Sequence, residues 1–466
     1  MTEEQKLIAE VLAGFAAQLR YEDIPRDVRD CAKYLILDAV GIAFASTRQP
    51  YADAALAGLA EFGSGPGIVI GMAERLSVRD AIVMNGVLVH GLDYDDTHPE
   101  GVIHSTASCF PCALGIGSHL NASGRDVLTA FVVGTEVAAR LGMVARGALH
   151  EAGFHPTGMF AAFASALITG RLYGLTPEQM VMAQGIALST GSSSSRQFNR
   201  EGAGSKRLHP GWGAAAGVAA AALAKHGFTG PRAAYEGDYG LYPSHLGTRY
   251  EACDLSVASR DLAVTWETLN VAIKPIPACL HVHASTDAAA AIATRHAINA
   301  ADIDSVRVLV PREAVAIVCE PADMRRRPAS SYAAQFSLPY AVASGLVRKR
   351  LSMRELEPDA INDPEVLAVA EKVQYAIDPD SGYPRYFSGE VIVQTKDGRE
   401  LRHREHINRG SPDRPLTADE IVRKFRDNAE LATTQTHASA ILEAVLSLDS
   451  QARVNRFAEL LAGRSI

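Results

Sequence analysis

Residues 7–19 read LIAEVLAGFAAQL, and they are the first of several segments that predict a mainly helical chain. Apolar side chains recur there every three or four residues, which places them on one face of an α-helix. The same spacing returns in a second helix that includes Tyr34 and Phe44. Three later helical segments are rich in alanine and glycine, and their small side chains allow helices to approach closely: residues 127–143, 158–172 and 213–226.

The pattern changes near residue 270. Residues 305–310 alternate between apolar and polar side chains, as a half-buried strand does. Residues 389–395 and 400–407 alternate around an Asp-Gly pair, which predicts a β-hairpin. Residues 285–298 and 333–346 have a helical pattern. Together these segments predict a smaller α/β or α+β domain.

The end of the chain is predicted to be helical again. Thr417 and Glu420 have the spacing of a capping box, and residues 438–461 form a further helical segment. The sequence therefore predicts a mainly α protein. A large all-helical domain is built from both chain ends, residues 1–269 and 411–466, and a smaller α+β domain is inserted at residues 270–410.

Composition excludes several classes of protein. The chain has 466 residues, with 53 acidic against 45 basic residues and a formal net charge of −8, which disfavours a nucleic-acid binder. A local basic pocket for an anion remains compatible with this average. Six cysteines do not make a disulfide scaffold. The acidic N-terminus does not match a signal peptide, and the apolar run at residues 211–224 is shorter than the roughly 20 residues that span a membrane. We therefore expect a cytoplasmic protein.

The densest polar cluster lies between His90 and His104. It contains three histidines, three aspartates and one glutamate, a composition suited to proton transfer or to metal binding. A solvated loop that caps a helix explains the same composition equally well. The metal interpretation is the weaker one, because the spacing matches neither a His-Glu-x-x-His helix nor an EF-hand loop.

A second cluster, residues 202–210, is rich in glycine and carries Lys206, Arg207 and His209 just before an alanine-rich helix. Backbone amides at a helix start, together with two cations, can bind an anion. An ordinary surface loop is the alternative, and the Walker A spacing is absent.

Two further segments contain histidines. His155 precedes a helical stretch, and residues 274–283 carry His281 and His283, which would share one face if the segment is extended. Taken singly, each of these histidines is more often structural than catalytic.

Cysteine and arginine motifs complete the set of candidates. Cys109 and Cys112 are interpreted as small buried hydrophobic residues. The run Arg325–Arg327 is interpreted mainly as a solvated surface, with a smaller chance of facing an anionic ligand.

Taken in order, these segments resemble the MmgE/PrpD family, whose members include 2-methylcitrate dehydratase, cis-aconitate decarboxylase and iminodisuccinate epimerase. The likeness spans most of the chain and is specific for the family, although it does not specify the substrate. It is carried by residues 37–41, Asn85 and Gly86 before His90, 92–97, 155–158, 206–209, 227–231, Glu236 and Gly237, 274–283 and 335–340.

The resemblance implies a homodimer in which the smaller domain acts as a lid, with an active site in the cleft between the domains and neither a metal nor an organic cofactor. By similarity, four residues are catalytic and five bind a small anionic di- or tricarboxylate. The catalytic residues are Asp93, His104, His155 and Lys206, and the binding residues are Thr97, Arg207, His209, Lys274 and His283.

Elementary chemistry fits these assignments. Removing a proton next to a carboxylate builds negative charge, which Lys206 and Lys274 would stabilise. An imidazole of His104 or His155 can move that proton near neutral pH. Asp93 would orient an imidazole or transfer a proton itself, and the sequence does not assign the acid and the base.

A dehydratase of the 2-methylcitrate dehydratase type is the leading hypothesis. The alternatives are an epimerase, in which the proton returns to the opposite face, and a decarboxylase. Decarboxylase members carry a second histidine where this chain has Cys279, and their lid tyrosine has only a shifted counterpart in Tyr332. A non-enzymatic carboxylate-binding protein is less favoured, because the polar set is intact.

Overall fold

The computed structural model describes residues 6–191, 194–198 and 203–463. Backbone contacts divide the chain into two compact units. Unit 1 combines Met1–Ala272 with Thr417–Ile466, and unit 2 is the continuous segment Ile273–Leu416. The boundaries expected from the sequence, after residues 269 and 410, fall a few residues earlier along the chain.

Unit 1 is mainly α-helical. Its N-terminal part contains α1 (Ile8–Gln18), α2 (Arg26–Ser46), α3 (Pro50–Ala60), α4 (Val78–His90), α5 (Thr106–Leu120), α6 (Gly124–Ala145), α7 (Ala148–Glu151), α8 (Pro156–Leu172), α9 (Pro177–Thr190), α10 (His209–Lys225) and α11 (Leu241–Leu246). Short 3₁₀ turns occupy Tyr21–Asp23, Gly204–Leu208, Gly247–Ala252, Leu255–Ala258 and Glu267–Asn270. The predicted helices of the first half are confirmed, although Gly202 of the glycine-rich cluster lies outside the described residues.

A small sheet corrects the prediction that this unit is all-helical. Strands β1 (Gly67–Ile68) and β2 (Arg75–Leu76) pair antiparallel. The Asn85 side chain on α4 donates to the Ile68 carbonyl and accepts from the Ile70 amide, both at 2.9 Å. A side chain thus satisfies backbone groups that a further strand would otherwise pair, which allows so short a sheet to persist.

Helices α4, α8 and α10 pack at distances that only glycine allows. A Cβ atom on Gly213 would lie 2.3 Å from the Gly158 carbonyl oxygen, and one on Gly86 would lie 2.5 Å from the Gly211 Cα. The close approach expected from the small side chains is therefore present. Since α4 ends at His90, α8 follows His155 and α10 begins at His209, this packing brings three histidines together.

Among the described residues, one helix, α6, is long and apolar enough to cross a membrane. However, 94% of its apolar window is buried inside the structure, as in the core helix of a globular protein. The helix also carries the buried ion pair Glu136–Arg140. We interpret α6 as a core helix of unit 1. The apolar run at residues 211–224 noted in the sequence is shorter than α6.

Unit 2 combines helices with one four-stranded sheet. Its helices are α12 (Leu280–His296), α13 (Arg312–Ala314), α14 (Ala322–Arg326), α15 (Ser331–Gln335), α16 (Leu338–Arg348), α17 (Pro358–Ile361) and α18 (Pro364–Ala370). Its strands are β3 (Ile303–Val310), β4 (Val373–Ile377), β5 (Gly389–Thr395) and β6 (Glu400–Glu405). Short 3₁₀ turns occupy Ala300–Asp302 and Met353–Leu356, and Val315–Cys319 forms a short π-helical segment. The sheet order is β4-β3-β5-β6, with β3 parallel to β4 and the other pairs antiparallel. The predicted strand and hairpin are confirmed.

One predicted helix of unit 2 is interrupted. Residues 333–346 contain the end of α15 and most of α16, because Ser337 adopts an extended backbone and its hydroxyl accepts from the Tyr340 amide at 3.0 Å. Pro339, which lacks an amide hydrogen, cannot continue the preceding helix.

The C-terminal part of unit 1 contains α19 (Ala418–Ala429), α20 (Gln435–Leu446), the turn Leu448–Ser450 and α21 (Asn455–Leu461). The capping box of Thr417 and Glu420 is confirmed. The single helix predicted over residues 438–461 is wrong, because the intervening backbone bonds elsewhere. Gln451 accepts from the Gly124 amide at 2.9 Å, and Val454 donates to the Ala122 carbonyl at 2.8 Å.

Helix α19 joins the C-terminal segment to the N-terminal part of unit 1 through a buried lysine. Lys424 Nζ lies 2.7 Å from an Asp38 carboxylate oxygen on α2 and donates to the Tyr94 carbonyl at 3.0 Å. Burial raises the pKa of Asp38 to about 6, although Lys424 opposes this shift. A buried ion pair stabilises the fold only while both partners are present.

We expect Lys424→Met to lower the free energy of unfolding by about 3–5 kcal/mol, because it leaves the Asp38 carboxyl buried without its cation. Denaturant unfolding followed by circular dichroism measures this change. Lys396→Met is the matched control, since Lys396 is exposed on the β5–β6 turn, and it should shift stability by less than about 0.5 kcal/mol. Equal midpoints for the two variants would contradict the role given to the pair.

Candidate active site

The loop between α4 and α5, residues 91–105, carries three of the nine predicted site residues: Asp93, Thr97 and His104. Thr97 and Ala272 exchange two backbone hydrogen bonds of 2.8 Å, and Lys424 holds the Tyr94 carbonyl. Asp93 has a backbone φ of +53°, a left-handed conformation that few non-glycine residues adopt. The loop is therefore held in place by residues that are distant in the sequence.

A buried carboxylate in this loop lies beside two imidazoles. Asp95 Oδ2 is 2.7 Å from His90 Nδ1 and 3.4 Å from His104 Nδ1. His104 Nδ1 is also 2.7 Å from the Asp96 carbonyl oxygen, and Thr97 Oγ1 lies 3.4 Å from the same nitrogen. The His90 and His104 rings meet edge to face with their centroids 4.9 Å apart.

His155 adds a third imidazole to this group. Its ring stacks on His90 with a centroid separation of 5.6 Å and lies 6.5 Å from the ring of His104. Its Nδ1 is 3.1 Å from His209 Nδ1, so one nitrogen donates and the other accepts. Burial, with the charges of neighbouring histidines and Lys206, places the pKa of His155 well below its usual value, and burial lowers the pKa of His209 to about 4.

Two basic side chains from the 3₁₀ turn Gly204–Leu208 approach the same loop. Lys206 Nζ lies 2.6 Å from Asp93 Oδ1, and both side chains remain partly exposed. Arg207 donates to the Gly91 carbonyl at 2.8 Å, and its guanidinium lies over the Tyr51 ring. A cation therefore reaches the loop in a position that an anion can also approach.

Seven of the nine predicted site residues lie in unit 1, on elements that the fold brings together. They are Asp93, Thr97, His104, His155, Lys206, Arg207 and His209. The two others, Lys274 and His283, belong to unit 2 and are both buried. His283 Nε2 lies 3.0 Å from the Ala278 carbonyl oxygen, a contact typical of a structural histidine.

The prediction that His281 and His283 share a face does not hold. Helix α12 begins at Leu280, so the two residues lie in its first turn, where positions two apart point in different directions. The His281 ring packs against Tyr383 and Phe387, and burial lowers its pKa to about 4.

The remaining motifs have local roles. Cys109 and Cys112 are buried free thiols in α5, as predicted, and burial raises the pKa of Cys112 to about 11. In the arginine run, Arg325 donates to the Glu320 carbonyl, Arg326 pairs with Asp323 and Arg327 pairs with Glu371.

Sequence reasoning did not select His90, Asp95 or Asp96 from the cluster that contains them. All three are buried, and burial together with the neighbouring Asp95 and Asp38 raises the pKa of Asp96 to about 7. Residues 94–96 are buried, whereas Asp93 and Thr97 on either side of them are partly exposed. No spacing rule predicts from the sequence which aspartate of such a loop is buried.

Among the described residues, His90, Asp95 and His104 form the group that could hold a metal ion, with one ligand atom from each lying within 4.8 Å of the others. In the structure these groups already bond with one another, as Asp95 contacts both imidazoles and His104 Nδ1 contacts the Asp96 carbonyl. The geometry therefore also fits a hydrogen-bonded triad.

The sequence profile of the MmgE/PrpD N-terminal domain matches residues 10–252, and that of the MmgE/PrpD C-terminal domain matches residues 276–450. The chain belongs to the MmgE/PrpD family. The first match covers the helices that carry the histidine cluster, and the second covers most of unit 2.

Several relatives in this family carry a named activity. A cis-aconitate decarboxylase of Aspergillus terreus is 28% identical over 97% of this chain and 95% of its own length. The mouse cis-aconitate decarboxylase is 26% identical over 99% and 94%, and the human one is 27% identical over 84% and 81%. At this identity, a shared family permits differences in substrate and reaction.

Asp96→Asn should change the pH dependence of stability. The folded-state pKa of Asp96, about 7, lies above the unfolded value of 3.8, so its protonated form favours the folded state and this contribution is lost as pH rises through about 7. Relative to wild type, the variant should gain up to about 4 kcal/mol between pH 4 and pH 8.

Thermal unfolding across that pH range measures the gain. Asp53→Asn, an exposed change on α3, is the control and should give a pH-independent difference. A difference between Asp96→Asn and wild type that does not vary with pH would contradict the raised pKa.

Proposed function

We propose that this protein is a lyase that acts on a small polycarboxylate by moving a proton at a carbon atom next to a carboxylate, and that it works without an organic cofactor or a metal. The observation that carries the proposal is the cluster of His90, His104 and His155 beside the Lys206–Asp93 pair in unit 1. Imidazoles that can act as bases therefore lie near the Lys206 ammonium group, and the side chains of His104 and Lys206 are partly exposed to solvent.

Proton removal from carbon requires a base that is unprotonated at the working pH. His155 meets this condition, because its pKa lies well below its usual value. The His104 side chain is only partly buried, so it can also meet a substrate. The His155 ring lies 6.5 Å from that of His104 but is buried, so His104 is the more accessible of the two imidazoles.

The negative charge that builds up on the substrate carboxylate requires cations. Lys206 is held by Asp93, which fixes its ammonium group close to the loop. A substrate carboxylate that approaches Lys206 competes with Asp93 for it, so the lysine is positioned before substrate arrives. Preorganised charge of this kind stabilises a developing anion more than solvent does.

Dehydration of a hydroxylated di- or tricarboxylate is the reaction that we propose first. It begins with proton removal by a neutral base, for which His104 and His155 are the candidates. Decarboxylation is the second candidate, because the named relatives are cis-aconitate decarboxylases. Loss of carbon dioxide leaves a carbanion that must take up a proton, so that reaction needs a proton donor in the site.

A homodimer is proposed on the family resemblance alone, and the cytoplasmic location expected from the sequence stays a prediction. Size-exclusion chromatography with light scattering tests the dimer, with a monomer at micromolar concentration as the contradicting result.

A substrate panel tests the proposed reaction. We expect the protein to convert citrate, 2-methylcitrate or a related hydroxy acid with new ultraviolet absorbance from a carbon–carbon double bond, and chelation should leave the rate unchanged. Carbon dioxide release from cis-aconitate would instead favour decarboxylation, and deuterium uptake from D2O without elimination would favour an epimerase. Silence with every compound would contradict a polycarboxylate lyase.

Lys206→Ala should lower kcat/KM by about 10²–10³-fold, because it removes a cation placed for the developing charge. Steady-state kinetics on the best substrate of the panel measures the loss. Lys225→Ala is the control, since Lys225 is exposed at the far end of α10 and should leave both constants unchanged. Comparable kinetics for the Lys206 variant and wild type would remove Lys206 from the site.

A further inference from the structure

We propose that His104 is the base that takes up the substrate proton and that Asp95 is the positioning residue that prepares it. The inference rests on the proposed function and assigns the base that the sequence leaves open. The carboxylate beside the imidazoles is Asp95, whereas the Asp93 side chain reaches Lys206. Neither the family match nor the names of the relatives assigns a role to Asp95.

The tautomer of His104 follows from its hydrogen bonds. A backbone carbonyl oxygen can only accept, so the 2.7 Å contact between His104 Nδ1 and the Asp96 carbonyl requires a hydrogen on Nδ1. In the neutral ring, Nε2 then carries the lone pair and can accept a proton. Asp95 Oδ2, at 3.4 Å from the same Nδ1–H, adds a negative charge on the side of the ring opposite to Nε2.

The two imidazoles that contact Asp95 differ in their exposure to solvent. The His90 side chain is fully buried, whereas 14% of the His104 side chain is exposed. His90 Nδ1 lies 2.7 Å from Asp95 Oδ2 and holds the carboxylate in place as a donor. Of this pair, His104 is therefore the one that a substrate can reach.

The contrast with His155 explains why His104 keeps the proton. The Nδ1 of His155 meets His209 rather than a carboxylate, and nearby His90, His104 and Lys206 oppose positive charge on its ring. A protonated His104 instead faces the Asp95 carboxylate, whose attraction is strong in a buried setting. The charged and titratable residues around His104 include Asp95, His90 and His155, and Asp96 contacts it through its backbone carbonyl.

The chemical step balances without a further reactant. The carbon–hydrogen bond next to the carboxylate breaks, and its proton forms a bond to His104 Nε2. The electron pair left on carbon becomes the second bond of the carbon–carbon double bond as the carbon–oxygen bond breaks. The leaving hydroxide is protonated by the His104 imidazolium, which returns His104 to its neutral form, and it departs as water. Asp95 remains ionised throughout and stabilises the imidazolium, as the carboxylate of a catalytic triad does.

Asp95→Asn tests the inference, because it keeps the shape and removes the charge. We expect kcat to fall by about 10²–10⁴-fold with little change in KM. The acid limb of the kcat/KM profile should move to lower pH, since loss of the carboxylate lowers the pKa of the His104 imidazolium. Asp53→Asn, on the exposed face of α3, should leave both quantities unchanged. An unchanged kcat and acid limb in the folded Asp95 variant would overturn the inference.

A double-mutant cycle distinguishes positioning from general structural support. If Asp95 acts through His104, then Asp95→Asn in a His104→Gln background should cause almost no further loss of kcat. Losses that multiply would overturn the proposal, because they would mean that Asp95 acts independently of His104.

Nitrogen-15 chemical shifts of the histidines in the wild-type protein provide a test that needs neither a substrate nor a stable variant. We expect neutral His104 to carry its hydrogen on Nδ1, and the Nε2–H tautomer would overturn the inference. If the substrate panel is silent while this tautomer is observed, the proposed function fails and the arrangement of His104 stands. If the protein is active and the tautomer is reversed, the inference alone fails.

Discussion

The close packing of α4, α8 and α10 is the constraint on which the rest of the site depends. At Gly86 and Gly213 a single added carbon would overlap backbone atoms of a neighbouring helix. Helices held at this distance have little freedom to slide, so their ends are fixed relative to one another. Because His90, His155 and His209 lie at those ends, three imidazoles are positioned by backbone contact rather than by long side chains. The glycines within the helices thus determine where the histidines at the helix ends lie.

Much of the fold could be predicted from periodicity, and the errors have local causes. Strand β3 and the β5–β6 hairpin alternate over enough residues to be recognised, and α2 and α6 each present a long apolar pattern. The interruptions were not predicted because each depends on a competing hydrogen bond. The Ser337 hydroxyl starts a new helix, and the backbone at Gln451 bonds to Gly124, more than 300 residues earlier in the chain. Apolar periodicity alone did not reveal either break, although Pro339 marks the first one in the sequence.

The sequence predicted a set of residues in unit 1 that lie close together, but it did not predict their contacts. Resemblance to the family selected Asp93, His104, His155 and Lys206, and unit 1 brings these four together. It did not indicate which aspartate meets which partner. In a loop with Asp93, Asp95 and Asp96 so close in sequence, the partner of each carboxylate depends on the local backbone. The left-handed conformation at Asp93 and the bond from Lys424 to the Tyr94 carbonyl set that backbone, and both arise from tertiary structure.

These contacts divide the site into an acidic side and a basic side. Asp95 and Asp96 contact His104, and the nearby Asp38 pairs with the buried Lys424. The raised pKa values of Asp38 and Asp96 reflect how costly it is to bury several carboxylates together. Toward His155 the charges are reversed, because Lys206 and the neighbouring imidazoles oppose protonation there. In the proposed reaction, the basic side would attract an anionic substrate, whereas a proton taken from it would be more stable on the acidic side. Carboxylates that weaken the fold by their burial would then also supply the field that separates a proton from its carbon.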